Sequence, residues 1–199
     1  FINCSEKEST TFEEMKSDKL MSESFTVNEL ENLAKIVDFF EEHISKEVEE
    51  KNIEKTYNKF VKRDSIRFYD DNYRYIFDYK NQERFYSSLD SVFFKNFFDI
   101  GFGYEINGQE RKYYFFALKS YDKYGQFLKK FSKQSAFLED YYTFTVVVND
   151  FLTNNAAYNL SFNYRKYNFK DIKIRLLYSL HFLSQSEFYN KKLMYKKSR

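Results

Sequence analysis

The side chains that most readily carry chemistry are few in this chain of 199 residues: two histidines, His43 and His181, and one cysteine, Cys4. An imidazole acts as a general base or metal ligand near neutral pH when a carboxylate or a second ligand stands beside it. His43 has Glu47 one helical turn on, and His181 stands between Leu180 and Phe182 with Gln185 one turn on. Neither belongs to a His-Glu-x-x-His or Glu-x-x-His pair. A single cysteine excludes an internal disulfide and a Cys-based metal cluster. There is no Gly-x-Ser-x-Gly elbow, and Gly101-Phe102-Gly103 lacks the third glycine and the lysine of a phosphate loop. Glu139 and Asp140 are adjacent, so on a helix they face different ways and do not share a substrate. Asp70 and Asp71 lack the alternating oxygens and central glycine of a calcium loop. No catalytic residue, metal ligand or cofactor is expected, and an enzyme reading requires a pocket that holds a histidine beside carboxylates.

What the chain has in abundance is rings: Phe 25 and Tyr 19, with Trp 0, make it 22% aromatic. The core is therefore expected to be built largely from rings. Tyrosine joins an apolar body to a hydrogen-bonding tip, which suits a face that docks protein or carbohydrate. The candidate binding residues are Tyr114, Tyr121, Tyr124, Tyr141, Tyr164 and Tyr167, on a groove beside a central helix. Bases interleaved with rings, as in Asn163-Tyr164-Arg165-Lys166-Tyr167, are also a stacking platform for nucleobases or sugars.

The elements that must position these residues are mostly helices, since Pro 0 and Gly 4 leave few of the turn residues that β-sandwiches use. Leu89, Val92, Phe93, Phe97 and Ile100 recur at helical spacing, with Phe94, Phe98 and Phe102 widening the stripe; residues 87–102 read as the core helix. Thr26 and Glu29 form a capping box, followed by Leu30, Leu33, Val37, Phe40, Ile44 and Val48. The other face of that helix, with Glu29, Glu31, Asp38, Glu41, Glu42 and Glu49, reads as solvated. Ile53, Tyr57, Phe60 and Val61 either continue it or follow a break near Lys51-Asn52. Over residues 64–80 a small hairpin turning at Asp70-Asp71-Asn72 competes with irregular structure. Asn107-Gly108 offers a type I′ turn or a helix start, and Glu110, three after Asn107, favours a helix through Tyr114, Leu118, Tyr124 and Phe131. Residues 138–152 read as a helix despite the β-branched run at 143–148. A short helix over 156–164 precedes a last amphipathic helix with Ile172, Leu176, Leu177, Leu180 and Leu183. The expected fold is all-α: a single-domain bundle of about six helices, with the alternative hairpin near 64–80.

Charge is divided along the chain. Residues 1–54 carry 15 acids and 6 bases, net −9, and residues 55–199 carry 15 acids and 26 bases, net +11. Such a split steers the two parts together, orients the molecule at a charged surface, or marks two solvated faces. No apolar run reaches the roughly 18 residues of a membrane-spanning helix.

Phe1-Ile2-Asn3-Cys4 resembles the lipobox that ends a bacterial lipoprotein signal peptide, in a relaxed form with Asn3 where Gly, Ala or Ser is usual. That resemblance implies a diacylglycerated Cys4. Residues 5–24 are polar and acidic and read as a disordered tether, residues 25–190 as the helical domain, and residues 191–199 as a basic tail. The segments NQERFYSSLDSVFF, FLEDYY and IRLLYSLHFL, in that order behind a capped first helix, resemble uncharacterised helical lipoproteins of Bacteroidota over most of residues 26–193. The expectation is a binding module of the bacterial cell envelope, held at the membrane by its lipid and facing a protein partner. Its rival is a cytoplasmic helical protein that binds nucleic acid or an acidic partner through a basic surface.

Overall fold

The structure, a computed structural model, describes residues 10–67, 77–106, 110–148 and 154–197, without the side chains of 66, 67, 104–106, 110–112, 154, 155 and 195–197. In chain order the elements are α1 (Thr10–Ser17), α2 (Lys19–Ser24), α3 (Val27–Val48), α4 (Ile53–Arg67), α5 (Tyr79–Ser88), α6 (Ser91–Phe97), β1 (Phe98–Ile106), β2 (Glu110–Leu118), α7 (Lys123–Phe131), α8 (Ala136–Tyr142), α9 (Asn154–Phe162) and α10 (Ile172–Lys197). The protein is mainly all-α, with one small antiparallel hairpin.

The axis of the fold is α10, not residues 87–102. From Ile172 to Glu187 every residue of α10 is buried, polar ones included. Its apolar side chains run all the way round, so it packs on every side rather than presenting the amphipathic face expected. Several of the polar side chains between them bond inside the protein. Ser179 Oγ donates to Arg175 O at 2.8 Å, Ser186 Oγ to Gln82 Oε1 at 2.8 Å, and Asn190 Nδ2 to Phe77 O at 3.1 Å. Rings fill the space around it: Phe40, Phe60 and Tyr178 all stand within 6.1 Å of Phe182, centroid to centroid.

The first long helix starts as expected. Thr26 accepts from the Glu29 backbone N–H while the Glu29 carboxylate accepts from the Thr26 N–H. It ends at Glu49, whose φ of 50° is left-handed, so α4 is a separate helix after a break. Residues 10–24, expected to be a disordered tether, form α1 and α2 instead. Their apolar side chains are sparse but spaced for burial: Phe12 and Met15 sit three apart, Met21 and Phe25 four apart, and all four are in the core.

The expected core helix is interrupted twice. Asp90 caps α6 by accepting from the Val92 and Phe93 N–H groups, and the chain leaves the helix at Phe98, whose N–H bonds Phe94 O. From there β1 pairs with β2, from Phe98↔Leu118 to Ile106↔Glu110. The hairpin therefore lies at residues 98–118, and Tyr114 and Leu118 are on a strand rather than on a helix. The strands meet across residues 107–109, outside the described residues, as is the Asp70-Asp71-Asn72 turn; α4 reaches Arg67 and α5 starts at Tyr79 on either side of the latter. The β-branched run stays helical: α8 continues as a π-helix over Thr143–Val147, where Thr145 Oγ1 donates to Tyr141 O at 2.7 Å. The basic end is helical to Lys197.

Candidate functional site

Four of the six candidate tyrosines belong to the interior. Tyr124, Tyr141, Tyr164 and Tyr167 are buried, and only Tyr114, on β2, and Tyr121, between β2 and α7, are exposed. Burial pushes the phenols of Tyr124, Tyr141 and Tyr167 up from their ordinary value. Tyr141 Oη lies 3.4 Å from His181 Nδ1, and Tyr167 Oη donates to Asn159 Oδ1 at 2.5 Å. A tyrosine-lined groove beside the central helix is thus replaced by a tyrosine-rich core.

The two histidines differ. His181 is fully buried, and desolvation pulls its pKa down to about 3, so the ring is neutral. His43 is half-buried with its ring 4.1 Å from Phe77, and burial lowers its pKa against the opposing pull of Glu47. It lines a shallow pocket of about 240 Å³ with Phe39, Glu42, Lys46, Asp78 and Asn81. His43 therefore meets the pocket condition set by the sequence, whereas no group of three His, Cys, Asp or Glu side chains suited to a metal exists among the described residues.

Part of the divided charge turns inward. Acids of residues 1–54 pair with bases of residues 55–199: Glu29 with Lys123 (2.5 Å), Asp18 with Lys173 (2.5 Å), Glu47 with Arg63 (2.6 Å) and Glu50 with Lys59 (2.8 Å). Arg175, its side chain 6% exposed, takes Glu41 at 2.7 Å and Glu14 at 2.5 Å. Glu29 and Glu41 are thus not on a solvated face. Burial raises the Glu29 carboxyl, but the Lys123 ammonium and the Thr26 hydrogen bonds outweigh it and hold it below its ordinary 4.5.

The hairpin carries the largest departure from a soluble surface. Paired residues of an antiparallel ladder share a face. The inner face has Phe115 opposite Gly101 and Tyr113 opposite Gly103, and both rings pack on Phe188 of α10, at 5.0 and 5.7 Å. A Cβ at Gly103 would stand 2.3 Å from the Tyr113 ring, so the glycines are where the rings lie. The outer face has Ile100 opposite Phe116 and Phe102 opposite Tyr114. Ile100 is 65%, Phe102 54% and Tyr114 60% exposed. Phe116 is half-buried and forms, with Tyr86, Leu89 and Phe94, the apolar wall of a pocket of about 340 Å³ rimmed by Glu83, Ser87, Ser91 and Lys95. Phe94 meets Phe116 edge-on at 4.9 Å.

One outward amide on each strand meets a side-chain acceptor. On the β2 side the Phe116 N–H donates to Glu187 Oε1 at 3.3 Å, and burial pushes that 1%-exposed carboxyl above its ordinary value. On the β1 side the Ile100 N–H donates to Asp99 Oδ1 at 2.8 Å. Apart from Tyr114, these residues escaped sequence reasoning because the run Tyr113-Tyr114-Phe115-Phe116 is apolar at every position and hides its alternation; the glycines at 101 and 103 were the available signal.

No protein-family model matches the chain, no curated protein is significantly similar to it, and no solved structure matches its fold.

Proposed function

We propose that this protein is a binding module that docks a protein partner on the outer face of its hairpin, displayed from the bacterial cell envelope by a lipid on Cys4. The observation that carries the docking is the ladder Ile100/Phe116 and Phe102/Tyr114, in which Ile100, Phe102 and Tyr114 are exposed and the half-buried Phe116 leads into a ring-lined pocket. Single exposed apolar residues are ordinary, but a contiguous set rimmed by polar groups marks an interaction surface. Aromatic anchors of this kind dominate the energetics of protein interfaces, and a 340 Å³ pocket accommodates a side chain of the partner. The anchor is supported by the Phe1-Ile2-Asn3-Cys4 pattern. Thr10, the start of α1, is the sixth residue after Cys4, a reach of at most about 20 Å, so the anchor would hold the domain close to the bilayer.

The rival reading on nucleic acid loses Lys123, Lys173 and Arg175, which acids of residues 1–54 hold. The His43 pocket is a weaker basis for a catalytic site, being smaller than the usual ligand cavity and holding an imidazole packed on Phe77. The test is a photo-crosslinking residue introduced in living cells at position 102 and, as a control, at the exposed Tyr158 of α9. A discrete adduct from position 102 alone is expected. No adduct, or the same adduct from both positions, overturns the docking surface, and membrane fractionation of wild type beside Cys4→Ala tests the anchor separately.

A further inference from the structure

The last two turns of α10 leave the core. Burial is complete to Glu187 and partial at Phe188, Tyr189, Lys191 and Lys192; by Leu193 and Met194 the side chains are 42% and 47% exposed, while the helix continues to Lys197. At about 1.5 Å per residue the stretch 193–197 extends about 7 Å beyond the packed part. After Glu187 the chain contains no acid, and it carries Lys191, Lys192, Lys196, Lys197 and Arg199. Lys191 is tied back to α5, bonding Tyr79 Oη beside Glu83. No ion pair is recorded for Lys192 among the described residues.

Basic residues at a helix C-terminus complement the helix dipole, and that alone explains lysines there. It does not explain two adjacent large apolar residues left nearly half exposed between them. Leu193 and Met194 stand directly after Lys191-Lys192 and directly before Tyr195-Lys196-Lys197, so apolar and cationic groups occupy the same two turns. We propose that this end of α10 docks on an anionic lipid surface, with Leu193 and Met194 entering the boundary between headgroups and acyl chains and the lysines meeting lipid phosphates. The chemistry selects lipid over nucleic acid, which offers phosphates but no apolar layer for Leu193 and Met194. The contact is interfacial, as no helix among the described residues is long and apolar enough to cross a membrane. The inference does not depend on the lipid at Cys4, and the experiment removes that lipid.

The test uses the Cys4→Ala chain and sedimentation with vesicles of phosphatidylcholine alone or mixed with an equal part of phosphatidylglycerol. Binding to the mixed vesicles only is expected, weakening as salt is raised. Lys196→Gln with Lys197→Gln lowers the partition coefficient about thirtyfold, from about 1 kcal/mol per base at such a surface. Leu193→Ser with Met194→Ser lowers it on the order of tenfold, with the unfolding midpoint unchanged. No binding to either vesicle overturns the proposal, as does equal binding to both. Full binding by the Leu193→Ser, Met194→Ser variant also overturns it, because the surface would then be purely electrostatic and open to nucleic acid or an acidic protein.

Discussion

Arg175→Met isolates the interaction that clasps the acidic start of the chain to its central helix. The guanidinium holds Glu41 through Nε at 2.7 Å and Nη2 at 3.4 Å, and Glu14 through Nη1 at 2.5 Å. The Glu41 side chain is 13% exposed, so without Arg175 it becomes a buried charge helped by the Tyr57 hydroxyl at 3.1 Å. Stranding one member of a buried pair costs about 3–5 kcal/mol. Glu14 is 47% exposed and water takes over its share, so the lower end, about 3 kcal/mol, is expected. In a domain of this size that is roughly 6–12 °C in unfolding midpoint. The loss has a pH signature. Burial pushes the Glu41 carboxyl above its ordinary 4.5 even against Arg175, and the variant pushes it further. The folded variant then takes up a proton more readily than the unfolded chain, so its stability rises as pH falls through the folded pKa and the deficit shrinks. Thermal unfolding followed by circular dichroism from pH 7 to pH 5 measures this. Adding Glu41→Gln to the variant should restore most of the loss. A deficit below about 1 kcal/mol, a deficit that ignores pH, or a double variant no better than the single one refutes the reasoning.

Further changes probe the hairpin and the first long helix. Glu187→Gln keeps an acceptor for the Phe116 N–H and removes a buried charge, so it should stabilise the protein at neutral pH. Because burial raises the Glu187 carboxyl above its ordinary 4.5, the wild type gains stability as pH falls through the folded pKa, and the advantage of the variant should disappear there. Gly103→Val drives a Cβ into the Tyr113 ring and should destabilise by about 1–3 kcal/mol, with hydrogen exchange of the hairpin amides rising well before that of α10. Thr26→Ala removes the side-chain half of the capping box and should cost about 1 kcal/mol, read from a denaturant midpoint that moves with no change in slope.

Helix α3 was legible in the sequence because its signals agree: a capping box, a clean apolar period and no competing strand propensity. The interruption at 87–102 was not. Phe93, Phe97 and Phe98 keep to a helical period whether or not the chain stays helical, and the cap at Asp90 falls between Leu89 and Val92, which belong to the same period. The centrality of α10 was concealed by the small and amide side chains that it buries: Ser179, Gln185, Ser186 and Asn190 look like a solvent face, until the partners of Ser186 on α5 and of Asn190 at Phe77 are in view. The candidate site suffered from abundance. With so many tyrosines, type alone does not separate Tyr141 in the core from Tyr114 on an open face, since that difference is set by strand pairing between residues distant in sequence.

The central claim is that the outer face of the hairpin is covered in the cell. Covalent footprinting of apolar and aromatic side chains, on intact cells and on the purified protein side by side, measures it directly. Phe102 and Tyr114 should be labelled in the purified protein and protected in cells, while Tyr121, 66% exposed and outside the hairpin, should be labelled equally in both. Equal labelling of Tyr114 in the two settings would contradict the account.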